Sequence, residues 1–226
     1  MATGVAYWLG MSSYSQAFGY FPYRGTGKEK VVALTFDDGP NEPHTSKLAG
    51  LLRDRAVRAT FFQVGRAVLR YPEVTKQLVA DGHVVGNHGF THEMTSYLSR
   101  RTLEIDVRKG QDALATVGLR PALYRPPWLL RIPSMSTVLK KQGLQAISGE
   151  FCHSMEVFQP RPEVIARGAL AKVVPGSIII FHDGYDGHDG NRASTVAAAE
   201  LVIERLRRKG YGFVTVDELL GIPAYQ

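Results

Sequence analysis

A single cysteine, Cys152, excludes an intrachain disulfide and any thiolate zinc cluster. It reads as a small, partly buried side chain rather than a catalytic thiol. No segment reaches the roughly 18 consecutive apolar residues that a membrane-spanning helix needs, so no integral membrane segment is expected. The opening stretch from Met1 to Met11 is mildly apolar, but it carries no basic n-region and no clear cleavage site, so it is not read as a signal peptide. Internal repeats, low-complexity runs and obvious linkers are also missing. Acidic residues are fewer than basic ones, 21 against 27, for a net charge of +6 and a pI near 9.5. That balance favours anionic partners. The basic residues are dispersed, however, as in Arg205-Leu206-Arg207-Arg208-Lys209, which reads as a solvated helix face, and no nucleic-acid partner is expected.

What remains is ordinary globular composition, 44% hydrophobic and 21% charged over 226 residues. That is enough chain for one domain spanning 1–226. Short β-branched apolar stretches alternate with helical patterns. Strands are expected at Val31–Phe36, Thr60–Val64, His83–Gly86, Ala122–Tyr124, Leu144–Ile147, Ser177–Phe181 and Phe213–Val216. Helices are expected at His44–Arg55, Pro72–Ala80, Leu98–Val117, Ser134–Gln142, Pro162–Lys172 and Ser194–Lys209. The strands are near-continuously apolar, as in a parallel sheet covered on both faces. About seven βα alternations, one short of the usual eight, predict a distorted or incomplete (β/α) barrel of about seven parallel strands.

The polar residues gather at the carboxyl ends of these strands, the edge where parallel α/β sheets build their sites. Asp37-Asp38 follow the first strand, and Gly39-Pro40 end it in a turn that lets both carboxylates approach one cavity. Two nearby carboxylates repel, so one of them calls for a cation. His88-Gly89-Phe90-Thr91-His92 follows the third strand. Histidines four apart in a helical turn share a face, and with Asp38 they make a two-histidine, one-carboxylate metal set. Zinc suits it best, and cobalt or nickel could occupy it. Arg125, after the fourth strand, could clasp Asp37 in a bidentate fork. Pro126-Pro127 restrict the loop carrying Trp128, a residue that could stack on a sugar ring or simply pack the loop. His182, after the sixth strand, has the chemistry of a general acid. His188 is expected in a mobile loop within the glycine-rich stretch 184–190.

With TFDDGP at 35–40, HGFTH at 88–92, RPPW at 125–128 and IFH at 180–182, the chain resembles the polysaccharide deacetylase (NodB-like) domain of carbohydrate esterase family four over about residues 31–220. The resemblance implies a distorted barrel and metal-dependent removal of acetyl groups from an N-acetylglucosamine-containing glycan such as chitin or peptidoglycan. It also leaves open an O-acetyl xylan esterase, a small-amide hydrolase or a silent glycan- or metal-binding module, and it favours an extracytoplasmic or cell-surface address. By position, it implies Asp37 as base, Asp38, His88 and His92 as metal ligands, Arg125 as the orienter of Asp37, and His182 as acid. It implies a backbone N–H near Trp128 as an oxyanion donor. The family often has Tyr at Trp128 and Leu at Ile180. Its Asp-Trp motif is missing; Glu156-Val157 lie nearest its place, so the wall that Trp supplies is lost and the partner of the acid becomes at best Glu156.

Overall fold

A computed structural model describes residues 2–226. Eight strands run as β1 (Val31–Asp37), β2 (Thr60–Gln63), β3 (Val84–Asn87), β4 (Leu123–Tyr124), β5 (Gln145–Ala146), β6 (Glu150–Phe151), β7 (Ile178–His182) and β8 (Gly212–Phe213). Nine helices accompany them among the described residues: α1 (Ala2–Met11), α2 (His44–Asp54), α3 (Gly65–Arg70), α4 (Pro72–Ala80), α5 (Arg100–Ala115), α6 (Met135–Lys141), α7 (Pro162–Lys172), α8 (Ala193–Arg208) and α9 (Val216–Leu220). No helix among the described residues is long and apolar enough to cross a membrane.

Seven strands pair in the order β5-β4-β3-β2-β1-β7-β6, all parallel, and β8 adds beside the first residues of β1. The result is a curled half-barrel. No ladder joins β5 to β6 among the described residues. Arginines fill that seam instead. Arg125 donates to the Ser148 carbonyl (3.0 Å), a group that a closed ladder would otherwise pair, and Arg131 donates to the Ser148 hydroxyl (2.9 Å).

Period-two alternation divides β1 between two environments. Val32, Leu34 and Phe36 join a cluster with Leu48, Leu52, Ile165, Val202 and Ile203 of the covering helices. Phe36 stacks between Phe61 and Phe181, with ring centroids 5.1 and 5.6 Å away. Ala33, Thr35 and Asp37 occupy the other face, which holds the barrel interior. The buried stripe of α8 at 195, 198, 199, 202, 203 and 206 has the spacing of one helical face. Its opposite face carries Glu200 and Glu204, both paired with Arg55.

The differences from the sequence-based bounds have local causes. The helix expected from Leu98 begins at Arg100, because Ser99 and Thr102 form a capping box. The strand expected over 213–216 stops at Phe213. Glu218 reaches back to accept the Thr215 N–H at 3.2 Å, half of a capping box, so Val216 starts α9. Two short elements, α3 and β6, gave no periodic signal.

Candidate active site

Register sets the site. Asp37, the last residue of β1, lies between Phe62 of β2 and His182 of β7. Asp37, Asp38, His88, His92, Trp128 and His182 all line one cavity of about 380 Å³ at the carboxyl edge of the sheet. Beyond Asp37 the chain turns sharply. Asp38 takes φ +77°, and Gly184 lies so close that a Cβ there would sit 2.4 Å from the Asp38 carbonyl.

The segment 88–92 is not a helical turn, contrary to the sequence reading. Gly89 has φ +79° and His92 φ +56°, so the two rings meet through an irregular loop rather than on one helix face. Asp106 of α5 holds that loop. It accepts the N–H groups of Phe90 (3.0 Å) and Thr91 (3.1 Å) and the Thr91 hydroxyl (2.8 Å). The loop in turn offers the carbonyls of Gly89 and Phe90 to the first N–H groups of α3, which explains why a helix forms there without a capping side chain. Replacing Asp106 with Ala leaves two backbone donors without partners. We expect a stability loss of about 1–3 kcal/mol, measured from urea unfolding midpoints. Asn, which keeps one acceptor oxygen, should recover part of it.

Asp38 Oδ1 lies 3.3 Å from His88 Nε2 and 3.1 Å from His92 Nε2, and the three side chains form a buried triad. That oxygen accepts no conventional hydrogen bond. His88 Nδ1 contacts the Arg125 carbonyl at 2.7 Å. A carbonyl can only accept, so Nδ1 carries a proton, and Nε2 is the nitrogen that faces Asp38. An orphaned carboxylate oxygen facing two imidazole nitrogens is the donor set of a divalent cation, and these residues fit one. Burial opposes charge on Asp38, but His92 and His88 outweigh it and hold its carboxyl well below the usual range. Burial likewise opposes charge on His92, yet Asp38 and Asp186 beside it carry it up to about 10.

Arg125 is fully buried over the Phe62 ring. It does not form the expected bidentate fork. One nitrogen, Nη1, donates to both Asp37 Oδ1 and Thr35 Oγ1, each at 2.7 Å, while Nη2 turns to Ser148. The second oxygen of Asp37 accepts no hydrogen bond among the described residues.

His182 donates from Nδ1 to Glu156 Oε2 at 2.6 Å. Glu156 therefore does reach it, and Thr195 donates to its other oxygen. Burial would lower the imidazole; the Glu156 carboxylate outweighs it and raises His182 to about 9. Val157 lines the cavity next to it. Ile180 is buried within β7 and is not a wall of the cavity. Trp128 takes φ +53° and sets its ring edge-to-face on His92, with centroids 4.4 Å apart, while still lining the cavity.

Two residues escaped the sequence reading, Asp106 and Asp186, whereas Asp183 stands at a strand end beside His182. Asp183 follows His182 but turns from the cavity to accept from Thr45 Oγ1 at 2.6 Å, and burial pushes its carboxyl up to about 7. The stretch 184–190 folds as a tight turn bridged by Tyr185 and exposed His188. It places Asp186 2.9 Å from His92 Nδ1. Neither Asp106 nor Asp186 stands in a pattern that a linear reading could have flagged.

The chain and its fold are similar to those of known proteins. The family model described as polysaccharide deacetylase matches residues 24–147. A peptidoglycan-N-acetylglucosamine deacetylase of Bacillus cereus is 34% identical over 203 residues, spanning 89% of this chain and 93% of the relative. A chitooligosaccharide deacetylase of Azorhizobium caulinodans is 31% identical, spanning 83% and 93%. The crystal structure of a peptidoglycan N-acetylglucosamine deacetylase superposes with a TM-score of 0.83 at 26% identity, covering 90% of this chain and 94% of that one.

Proposed function

Because the chain belongs to the polysaccharide deacetylase family, we propose that it hydrolyses N-acetyl groups from an N-acetylglucosamine-containing glycan, chitin-type or peptidoglycan, releasing acetate. One observation carries the reading: a carboxylate held by a buried arginine, a histidine held by a buried glutamate, and an Asp-His-His triad face one cavity. A metal-binding module would need only the last of these.

Asp38, His88 and His92 would hold one divalent cation, with zinc proposed and cobalt or nickel as alternatives. Bound there, the cation supplies positive charge that polarises an acetyl carbonyl and acidifies water. Asp37 takes the proton of the attacking water. Arg125 fixes Asp37 through Oδ1, so its second oxygen is available for that proton. His182 then gives its proton to the departing amine, which leaves only when protonated. Glu156 keeps that proton on His182 until it is needed. Trp128 forms a flat apolar wall beside His92 on which a sugar ring can rest.

Acetate release from acetylated chito-oligosaccharide, peptidoglycan and acetylxylan, each with and without chelator, tests the proposal. Release from either amide glycan, abolished by chelator and restored by zinc, is expected. Release from acetylxylan alone would replace it with the O-acetyl esterase reading.

The pH profile tests the Glu156 pairing. His182 is raised to about 9, so its proton is present below that pH and lost above it. Activity that depends on this proton should fall as pH rises through about 9. In Glu156→Gln the largest raising influence is gone while burial remains, so the alkaline limb should move to lower pH. A limb that stays in place would separate Glu156 from proton donation.

A further inference from the structure

The two imidazoles of the metal triad are held differently. His88 gives its Nδ1 proton to a backbone carbonyl, that of Arg125, at 2.7 Å. His92 Nδ1 instead faces a carboxylate, Asp186 Oδ1, at 2.9 Å. The His92 ring is 4% exposed and the Asp186 side chain 40% exposed, so the carboxylate closes the solvent side of the site. The N–H and the carboxylate oxygen are close but not collinear.

The chain around Asp186 is built to hold it there. Asp186 has φ +48°, and its own N–H donates to Asp38 Oδ2 at 3.1 Å, so the same residue touches two members of the triad. Its carbonyl accepts from Arg66 Nη2. Gly187 seats the turn against the start of α3: a Cβ there would lie 2.6 Å from Val64 Cγ1. Beyond the turn, Asp189 accepts from the Tyr71 hydroxyl at 3.0 Å and from Arg70 at 3.2 Å. The Tyr185–His188 bridge closes the turn itself.

We infer that Asp186 is the positioning carboxylate of the metal site: by taking the Nδ1–H of His92 it fixes the ring with Nε2 toward Asp38 and sets how tightly a divalent cation is held. The physical reason is twofold. The carboxylate selects the tautomer whose Nε2 lone pair is free, and its negative charge makes that nitrogen a better donor. The inference rests on the metal-site reading above and adds a residue that reading does not use.

The test is zinc affinity, measured by equilibrium competition with a chromogenic chelator and needing no substrate. Asp186→Asn and Asp186→Ala should bind zinc about 10- to 100-fold more weakly than the wild type, the usual cost of losing such a partner. Asp186→Glu, which restores a carboxylate on a longer stem, should recover most of that loss. Asp189→Asn alters the same turn away from the triad and should leave affinity unchanged. Equal affinity in wild type, Asp186→Asn and Asp186→Ala would overturn the inference. So would an equal loss in Asp189→Asn, or no recovery in Asp186→Glu, since either would make the turn a packing element only. A wild-type protein that binds no zinc would overturn the triad itself, and the inference with it.

Discussion

Asp37→Asn is expected to lower deacetylation of an acetylated chito-oligosaccharide by about 10²- to 10⁴-fold, the scale of general acid–base catalysis, while zinc stays bound. The amide keeps the shape of the carboxylate and can still accept from Arg125, but it cannot take a proton from water. Metal retention follows from the geometry: Asp37 contacts Arg125, whereas Asp38 contacts the two histidines. The substitution also removes the counter-charge of a fully buried arginine. Leaving a buried charge unpaired costs roughly 3–5 kcal/mol, so a lower melting temperature is expected alongside the lost turnover. Rates are therefore to be normalised to folded, zinc-loaded protein. Full activity per folded molecule would require another base. Loss of zinc with the fold intact would reverse the proposed roles of Asp37 and Asp38.

The second large effect distinguishes proton donation from binding. His182→Ala should lose about 10²- to 10⁴-fold on the acetylated glycan and far less on an aryl acetate. A phenolate leaves without a proton; an amine does not. The expectation stems from a histidine that lies one strand from Asp37, lines the same cavity and keeps its proton through its contact with Glu156. Two substrates and one variant suffice. Equal losses on both would make His182 a substrate-binding or structural residue, and the assignment as acid would fall.

Both expectations use residues that short motifs display. The alternation of apolar strands with helical patterns, and the clustering of Asp37, Asp38, His88, His92, Arg125 and His182 at strand ends, are local in sequence. They were legible because a parallel sheet forces each strand end to the same edge. Glu156 was harder. Its distance from His182 along the chain suggested it, but only the turn ahead of α7 and the Thr195 hydroxyl of α8 settle where its carboxylate goes. Periodicity misled at 88–92, where the spacing suits a helix and the chain instead uses Gly89 at positive φ with Asp106 as its tether. Capping chemistry, Ser99 with Thr102 and Thr215 with Glu218, was present in the sequence and shifted two element boundaries.

The sequence by itself determined the class of sheet, the order of its elements and the chemical inventory of the site, because hydrophobic period and motif identity are properties of neighbouring residues. Tertiary structure decided how that inventory is held. It left the seam between β5 and β6 without a ladder and set Arg125 and Arg131 on Ser148. It turned Arg125 into a single-nitrogen clasp shared by Asp37 and Thr35. It brought Asp186 to Asp38 across 148 residues of chain. Such contacts depend on where a turn ends and which carbonyl is left free, and burial is what enforces them: a polar group inside the sheet must find its partner wherever the fold supplies one.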